Sequence, residues 1–190
     1  MSPSYDRRGD WMQTYTGGVF WPMDPRPSEV YFWDIAAALS KQCRYAGHSS
    51  EFYSVAQHSV LVSQCVAPEN ALWALLHDAS EAYLVDVPKP IKPYLDNYQE
   101  LERVVMDAVL VRFGLGYARE MPEEVKEMDQ RILANEQAAL MPNPPRDWGL
   151  KPAIPNLKID PITDTNVAES LFISRMFELQ GGQFIAFLNA

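Results

Sequence analysis

The sequence predicts an all-α bundle of about six helices, with one short β-hairpin near the N-terminus. Apolar residues recur at helical spacing through most of the chain, and prolines and glycines separate these segments. Strand-like residues are confined to Thr14–Trp21, on either side of Gly17 and Gly18. A length of 190 residues with 47% hydrophobic residues fits a single domain, 1–190, that buries an ordinary core.

The helices are predicted from their start and stop residues. Ser28 is expected to cap the first helix, and Ser49 or Ser50 the second. Ala71–Leu76 is apolar all round, which indicates a buried central helix, and Gly181-Gly182 is expected to end the last one. The predicted helices are 28–42, 49–66, 68–83, 96–113, 122–140 and 164–180. A Pro-rich connection at 141–163 precedes the last helix.

Charge and composition exclude several classes of partner. With 16 basic and 25 acidic residues the net charge is −9, which disfavours binding to a nucleic-acid polymer. One small anion can still bind where a metal or a few basic side chains converge. No apolar run is long enough to cross a membrane, and the N-terminus lacks the apolar stretch of a signal peptide. Two cysteines without a CxxC pattern indicate a reducing cytoplasm.

Four polar residues interrupt apolar helical faces. His58 shares a face with Val55 and Val62, and His77 lies on the apolar third helix beside Asp78. Asp129 interrupts the apolar stripe of a later helix. Taken singly, such residues are usually hydrogen-bonded core histidines or capping and surface aspartates. Together, two imidazoles and two carboxylates from three helices predict a metal site in the bundle, for Mn, Fe, Co, Ni or Zn.

These residues carry a family resemblance. His58-Ser59, the segment 75–82, Asp86 and Asp129, taken in order, resemble the HD-domain metal-dependent phosphohydrolases over residues 28–140. The nearest resemblance is to bacterial 5′-deoxynucleotidases and small phage deoxynucleoside triphosphohydrolases. The sequence of residues 42–59 is similar to that of the phage enzymes in particular. The resemblance implies an all-α core in which His58, His77, Asp78 and Asp129 ligate one metal. Bimetallic HD enzymes use more histidines than the three in this chain, although a second, weakly held ion can be shared with substrate phosphates.

Further residues receive catalytic and substrate-binding roles. Glu81 follows His77 by four residues, so we expect its carboxylate to orient a water or pass a proton. Asp86 resembles the family's second catalytic acid, near the leaving oxygen. Arg44 matches an arginine of the nucleotidase branch and can bind a phosphate through two hydrogen bonds. Tyr45 takes the position of an aromatic residue that stacks on the base, with core packing as its alternative role.

Basic residues after Asp86 bear on substrate length. Lys89 and Lys92 resemble the triphosphate-binding loop of phage relatives, although they can also be two solvated lysines. His48 is expected either to touch a phosphate or to cap the next helix. The connection between His58 and His77 is shorter than in the nucleotidase family, so the rim of the pocket is expected to differ.

The leading functional hypothesis is a triphosphohydrolase that releases deoxynucleoside and triphosphate from a dNTP, with dATP as one specific substrate. A 5′-deoxynucleotidase acting on dNMPs is the alternative that needs fewer basic groups. A nucleotide sensor would be expected to lack Glu81 or Asp86, and both are present. A diiron oxygenase would need more histidines, and an all-α interaction protein with core histidines would bind no metal. The resemblance also implies a homo-oligomer. The apolar stripe of helix 96–113 can be a dimer face, although packing in the core is the favoured interpretation.

Overall fold

The structure is a computed structural model that describes residues 7–116 and 120–180. Within these ranges the chain is predominantly helical, which confirms the predicted all-α class. Short 3-10 turns occupy Pro27–Glu29, Arg44–Gly47 and Lys92–Tyr94. The α-helices are α1 (Phe32–Lys41), α2 (Val55–Gln64), α3 (Pro68–Leu76), α4 (Glu81–Leu84), α5 (Tyr98–Arg112), α6 (Glu123–Leu140) and α7 (Thr165–Gln180).

The predicted N-terminal hairpin is also present. Strands β1 (Met12–Gln13) and β2 (Val19–Phe20) pair antiparallel, with Met12 opposite Phe20. The turn uses Gly17 at a φ of +85°, a conformation that glycine adopts without steric cost. Phe20 is buried and stacks on Tyr83 of α4 with ring centroids 3.8 Å apart. This contact fixes the hairpin to the helical core.

Helix α2 occupies the centre of the bundle. It packs against α1, α3, α6 and α7, so its side chains face protein on several sides. The Pro-rich connection returns the chain so that α7 lies across α1 and α2. Phe172 of α7 stacks on Phe32 of α1 at 5.7 Å. Any polar group on α2 that faces the interior must therefore find its partners within the fold.

Two predicted helix starts are wrong. The first helix begins at Phe32 rather than at Ser28, because residues 27–29 form a 3-10 turn and Val30 is extended. The second begins at Val55, where Ser54 caps it by accepting a hydrogen bond from the Gln57 amide. Neither Ser49 nor Ser50 starts this helix, because Cys43 and Ser54 form an isolated antiparallel bridge that makes the intervening residues a loop. This loop begins with Arg44.

The predicted helix 68–83 is divided in two. Helix α3 ends at Leu76, and the next residues form tight turns in which Ala79 N bonds Leu76 O and Glu81 N bonds Asp78 O, both at 2.9 Å. His77 Nδ1 donates to the Ala74 carbonyl at 2.7 Å, which occupies an acceptor of the last helical turn. The remaining helices match their predicted spans closely, and Gly114 follows α5 at a φ of +76°. Gly181 and Gly182 lie outside the described residues.

The described helices include none with the length and apolar character needed to cross a bilayer. Cys43 and Cys65 are both free thiols.

Truncation of Phe172 tests whether α7 belongs to the same cooperative unit as the rest of the bundle. Phe172 is 0% exposed and stacks on Phe32, so Phe172→Ala should lower the free energy of unfolding by about 3–5 kcal/mol. Val167 is 51% exposed on the same helix, and Val167→Ala should change stability by less than about 0.5 kcal/mol. Urea denaturation measures both values. A similar small effect for both variants would show that α7 contributes little to the core.

Candidate functional site

Two histidines meet in the interior of the bundle. His58 lies in the middle of α2 with 0% exposure, and His77 follows the last residue of α3. Their ring centroids are 5.2 Å apart. Among the described residues, neither Nε2 atom has a hydrogen-bond partner. A buried ring nitrogen without a partner is unfavourable, so a ligand or an ion bound to the two Nε2 atoms would stabilise the pair.

Two carboxylates face these unpartnered nitrogens. Asp129 of α6 places Oδ1 3.1 Å from His58 Nε2, and Asp78 places Oδ2 3.2 Å from His77 Nε2. Asp78 Oδ2 also lies 3.9 Å from His58 Nε2. The short contacts lack the angles of a hydrogen bond. Potential ligand atoms of His58, His77 and Asp129 all lie within 4.8 Å of one another.

The donor set fits the predicted metal. Imidazole and carboxylate together suit first-row transition metals, and a cation between them would satisfy both orphaned Nε2 atoms. The fold thus brings all four predicted ligand side chains into one cluster from three segments of the chain. That they hold a metal stays a prediction.

Glu136, which the sequence analysis missed, is the central carboxylate of the cluster. It is 0% exposed on α6. Its Oε1 accepts from His58 Nδ1 at 2.7 Å, and its Oε2 accepts from Arg44 Nε at 3.2 Å and from the Tyr45 hydroxyl. The signal was present in the sequence, because Glu136 interrupts the same apolar stripe as Asp129, four residues after Ile132.

Charge interactions fix the protonation of the cluster without a metal. Burial and Arg44 lower the pKa of His58, but Glu136 and Asp129 outweigh them and raise it to about 9. Burial raises the pKa of Glu136, yet the charges of Arg44 and His58 bring it down to about 2. Against its own burial, Asp78 has a pKa well below the usual range, chiefly because of His77. The Asp129 pKa is also lowered, by His58. These three carboxylates are therefore ionised at neutral pH.

Glu81 differs from the other carboxylates of the site. It is the first residue of α4, it is buried, and its Oε2 has no hydrogen-bond partner in the described part of the chain. Burial, followed by the charges of Asp78 and Asp86, raises its pKa to about 10. Lys92 Nζ lies 3.9 Å from Glu81 Oε1, and its positive charge offsets only part of this rise in pKa. In the metal-free protein, even with Lys92 nearby, Glu81 is a protonated acid at neutral pH.

Gln42 holds the segment that connects Glu81 with Asp86. Its Nε2 donates to the Glu81 carbonyl at 2.9 Å, and its Oε1 accepts from the Asp86 amide at 3.0 Å. Between them Val85 has φ 71° and ψ 151°, a region of backbone space used almost only by glycine. The half-buried Asp86 carboxyl has a raised pKa, first because of burial, and Asp78 raises it further. A strained backbone beside a predicted catalytic acid is typical of functional sites.

The loop after α1 brings Arg44 and Tyr45 to the cluster. Arg44 Nη1 lies 3.5 Å from Asp78 Oδ2, so the guanidinium is shared between Asp78 and Glu136. Tyr45 has a left-handed backbone at φ 59°, and its hydroxyl is bound to Glu136. Its ring centroid lies 6.5 Å from that of Trp148 in the Pro-rich connection, which is 45% exposed. Tyr45 is therefore anchored from the inside, beside a half-exposed aromatic neighbour.

The remaining predicted residues divide into two groups. Lys92 is half-buried, pairs with Glu102 at 2.7 Å and lies near Glu81, so it borders the cluster. Lys89 and His48 are exposed and lie outside the network of side-chain contacts that the described residues form around the histidines. His48 does not cap the next helix, which Ser54 caps.

A separate cleft lies between the hairpin, α1 and α4. Its lining residues come from the hairpin, α1 and α4, and include Thr14, Lys41 and Tyr83. None of the predicted site residues lines this cleft. The candidate functional site is thus defined by its buried polar cluster rather than by the cleft.

Comparison with known proteins gives two relatives. No protein-family model matches the chain. The uncharacterized protein YfdR of Escherichia coli (strain K12) is 39% identical over 144 residues, which cover 76% of this chain and 80% of YfdR. The uncharacterized protein RCAP_rcc00048 of Rhodobacter capsulatus is 36% identical over 115 residues, 55% of this chain and 59% of the relative. Neither name states an activity.

Metal binding at this cluster should release a proton. The raised pKa of His58, about 9, leaves the ring protonated at pH 7 in the metal-free protein, and Nε2 can accept a metal only after its proton leaves. The affinity for Mn²⁺ should therefore rise by roughly tenfold per pH unit between about pH 6.5 and 8.5. Isothermal titration calorimetry in buffers of different ionisation enthalpy measures the proton count.

The exposed His48 provides the matched control. His48→Ala should leave both the affinity and the proton release unchanged. An affinity for Mn²⁺ that does not vary with pH in the wild type would contradict binding at His58.

Proposed function

We propose that this chain, which belongs to the family of the Escherichia coli protein YfdR, is a metal-dependent phosphohydrolase of deoxynucleotides. The observation that carries the proposal is the pair of buried, unpartnered Nε2 atoms of His58 and His77, which face Asp78 and Asp129. The HD-domain resemblance of the sequence assigns the same four residues as metal ligands. Local chemistry and sequence resemblance thus favour the same site.

In this proposal the four ligands hold one divalent transition metal, namely Mn, Co, Zn, Fe or Ni. When bound, such a metal makes water nucleophilic at neutral pH and polarises a phosphoryl oxygen. A second, weakly held ion shared with substrate phosphates belongs to the same proposal. The bundle contributes a buried site in which these side chains are held before substrate arrives.

Two acids move protons in the proposed reaction. Glu81 is buried next to Asp78, so its carboxyl can orient the attacking water and take a proton from it. A divalent metal ion at the four ligands would favour the carboxylate form that this step needs. Asp86, held through its amide by Gln42, can give a proton to the leaving 5′ oxygen. The raised pKa of Asp86 suits a proton donor.

Basic residues around the cluster suit a phosphate chain. Arg44 lies beside Asp78, and Lys92 lies beside Glu81, so a substrate phosphate near the ligands would meet both. A triphosphate carries about four negative charges, which need the metal and more than one basic side chain. The position of Lys92 favours a triphosphohydrolase, with dATP as one substrate to test. Tyr45 and Trp148 offer aromatic surface for a base.

Two alternative functions would use the same site, one with a different substrate and one without turnover. A 5′-deoxynucleotidase would use the same ligands and acids on a dNMP, without Lys92. A nucleotide sensor would bind metal and nucleotide without turnover, and the presence of both Glu81 and Asp86 favours the enzyme. We further propose a cytoplasmic homo-oligomer that acts on free nucleotides.

A product assay tests the proposed reaction. The protein is incubated with each dNTP and each dNMP in the presence of Mn²⁺, Co²⁺ or Mg²⁺, and chromatography resolves the products. We expect deoxynucleoside and triphosphate from a dNTP, without dNDP or dNMP. Phosphate release from dNMP alone would make the protein a 5′-deoxynucleotidase. No turnover on any nucleotide with metal bound would contradict the enzyme proposal and favour the sensor.

Substitution at Glu81 should separate proton transfer from metal binding. His77→Ala removes a ligand and should abolish both Mn²⁺ binding and turnover. Glu81→Gln should keep Mn²⁺ bound while kcat falls by roughly 10²–10⁴-fold, because only proton transfer is lost. The exposed Glu69 supplies the control, since Glu69→Gln should leave kcat unchanged. Loss of the metal in Glu81→Gln would instead make Glu81 a ligand.

Substitution of the lysines tests substrate length. Lys92→Ala should raise the KM for a dNTP by about tenfold or more, the value of one charge-assisted hydrogen bond, and should affect a dNMP much less. Glu102→Gln breaks the Lys92–Glu102 pair while keeping the lysine, so it controls for loss of that contact. Lys89→Ala measures whether the exposed lysine also reaches the phosphates. Equal effects of Lys92→Ala on dNTP and dNMP would contradict triphosphate binding.

A further inference from the structure

A single buried carboxylate connects the predicted metal ligands with the predicted phosphate-binding loop. Glu136 Oε1 lies 2.7 Å from His58 Nδ1, while Oε2 accepts from Arg44 Nε and from the Tyr45 hydroxyl. Each oxygen therefore faces a different part of the site. The two parts come from consecutive segments, the loop after α1 and α2, whereas Glu136 comes from α6, far along the chain.

Packing alone does not require a carboxylate at this position. Ile132 and Leu140 lie on the same stripe of α6 and are buried as apolar side chains. An apolar residue at 136 would continue that stripe, whereas a buried carboxylate costs several kcal/mol of desolvation that its partners must offset. The value of Glu136 must therefore lie in what its two oxygens hold in place.

We propose that Glu136 is a positioning residue that fixes the first metal ligand and the phosphate-binding arginine at once. The inference rests on the proposed function and deepens it. By accepting the Nδ1 proton of His58, Glu136 makes Nε2 the nitrogen that can give up its proton and bind a metal, and turns it toward Asp129 and His77. By accepting from Arg44 and Tyr45, it holds the loop so that the guanidinium faces Asp78.

The backbone of this loop supports the second role. Tyr45 and Ala46 have left-handed φ values of 59° and 51°, which are unfavourable for residues other than glycine. Such a conformation persists when tertiary contacts hold it, and the hydrogen bond from the Tyr45 hydroxyl to Glu136 is a contact of that kind. Loss of Glu136 should thus release the loop as well as the histidine.

The test separates the two roles with Glu136→Gln. Calorimetry with Mn²⁺ alone should show an affinity about 10–100-fold weaker than that of the wild type, as for other lost histidine-orienting carboxylates. The amide cannot accept from both His58 and Arg44, so the KM for dNTP at saturating Mn²⁺ should also rise. The kcat at saturating metal and nucleotide should change little, unlike that of Glu81→Gln. A residue that served only to stabilise the fold would move the melting temperature and neither binding constant.

Two further variants keep the inference testable if Glu136→Gln does not fold. Tyr45→Phe removes only the hydroxyl contact, so it should raise the KM for dNTP and leave Mn²⁺ affinity unchanged. Glu136→Asp keeps the charge on a shorter side chain and should lie between wild type and Glu136→Gln in both constants. Wild-type Mn²⁺ affinity and KM in a folded Glu136→Gln or Glu136→Asp variant would overturn the inference.

The wild-type protein distinguishes this failure from failure of the proposed function. Mn²⁺ affinity is measured without nucleotide, so the His58 role is tested even if no nucleotide is hydrolysed. If the wild type hydrolyses dNTP and the Glu136 variants have the same Mn²⁺ affinity and KM, the inference is overturned and the proposed function stays intact. Wild type that binds Mn²⁺ more tightly than Glu136→Gln, yet hydrolyses no nucleotide, would contradict the function and keep the positioning of His58.

Discussion

The burial of the His58 ring at the centre of the bundle is the constraint on which the site depends. Helix α2 is enclosed by α1, α3, α6 and α7, so an imidazole on its inner face cannot turn to solvent. Both ring nitrogens then need partners from the fold. Glu136 meets the requirement at Nδ1, whereas Asp129 approaches Nε2 without forming a hydrogen bond. The Nε2 atoms of His58 and His77, which have no hydrogen-bond partner among the described residues, are where the proposed cation would bind.

Charge balance in the cluster supports the same conclusion. Without a metal, Asp78, Asp129 and Glu136 are ionised, and Arg44 and protonated His58 balance two of these charges. Glu81 responds to the negative surroundings and to its burial by keeping its proton. A divalent cation would replace the His58 proton and reduce the repulsion that Glu81 experiences. In the proposed enzyme the metal and Glu81 would thus be coupled through the charges of the same carboxylates.

Residue patterns in the sequence predicted the fold class, and the structure brings together the side chains of the four residues that the sequence singled out as metal ligands. His58, His77 and Asp129 were visible because each interrupts an apolar helical face, a local property of the sequence. Glu136 interrupts the stripe of Asp129 in the same way, and its role became clear only when α6 was placed against α2. A polar interruption in an apolar stripe marks a buried group, whereas its partners depend on tertiary packing.

The errors in helix boundaries have the same origin. The end of α3 before His77 and the loop that starts at Arg44 depend on contacts such as the Cys43–Ser54 bridge and the side-chain hydrogen bond of His77. Local propensity does not contain these contacts.

Crystals of the protein soaked in Mn²⁺ or Co²⁺ would test the metal centre most directly, through an anomalous difference map recorded at the absorption edge of the metal. We expect one strong peak enclosed by the Nε2 atoms of His58 and His77 and the carboxylates of Asp78 and Asp129. No peak at this position, or a peak elsewhere with the two Nε2 atoms hydrogen-bonded to the carboxylates, would contradict this expectation.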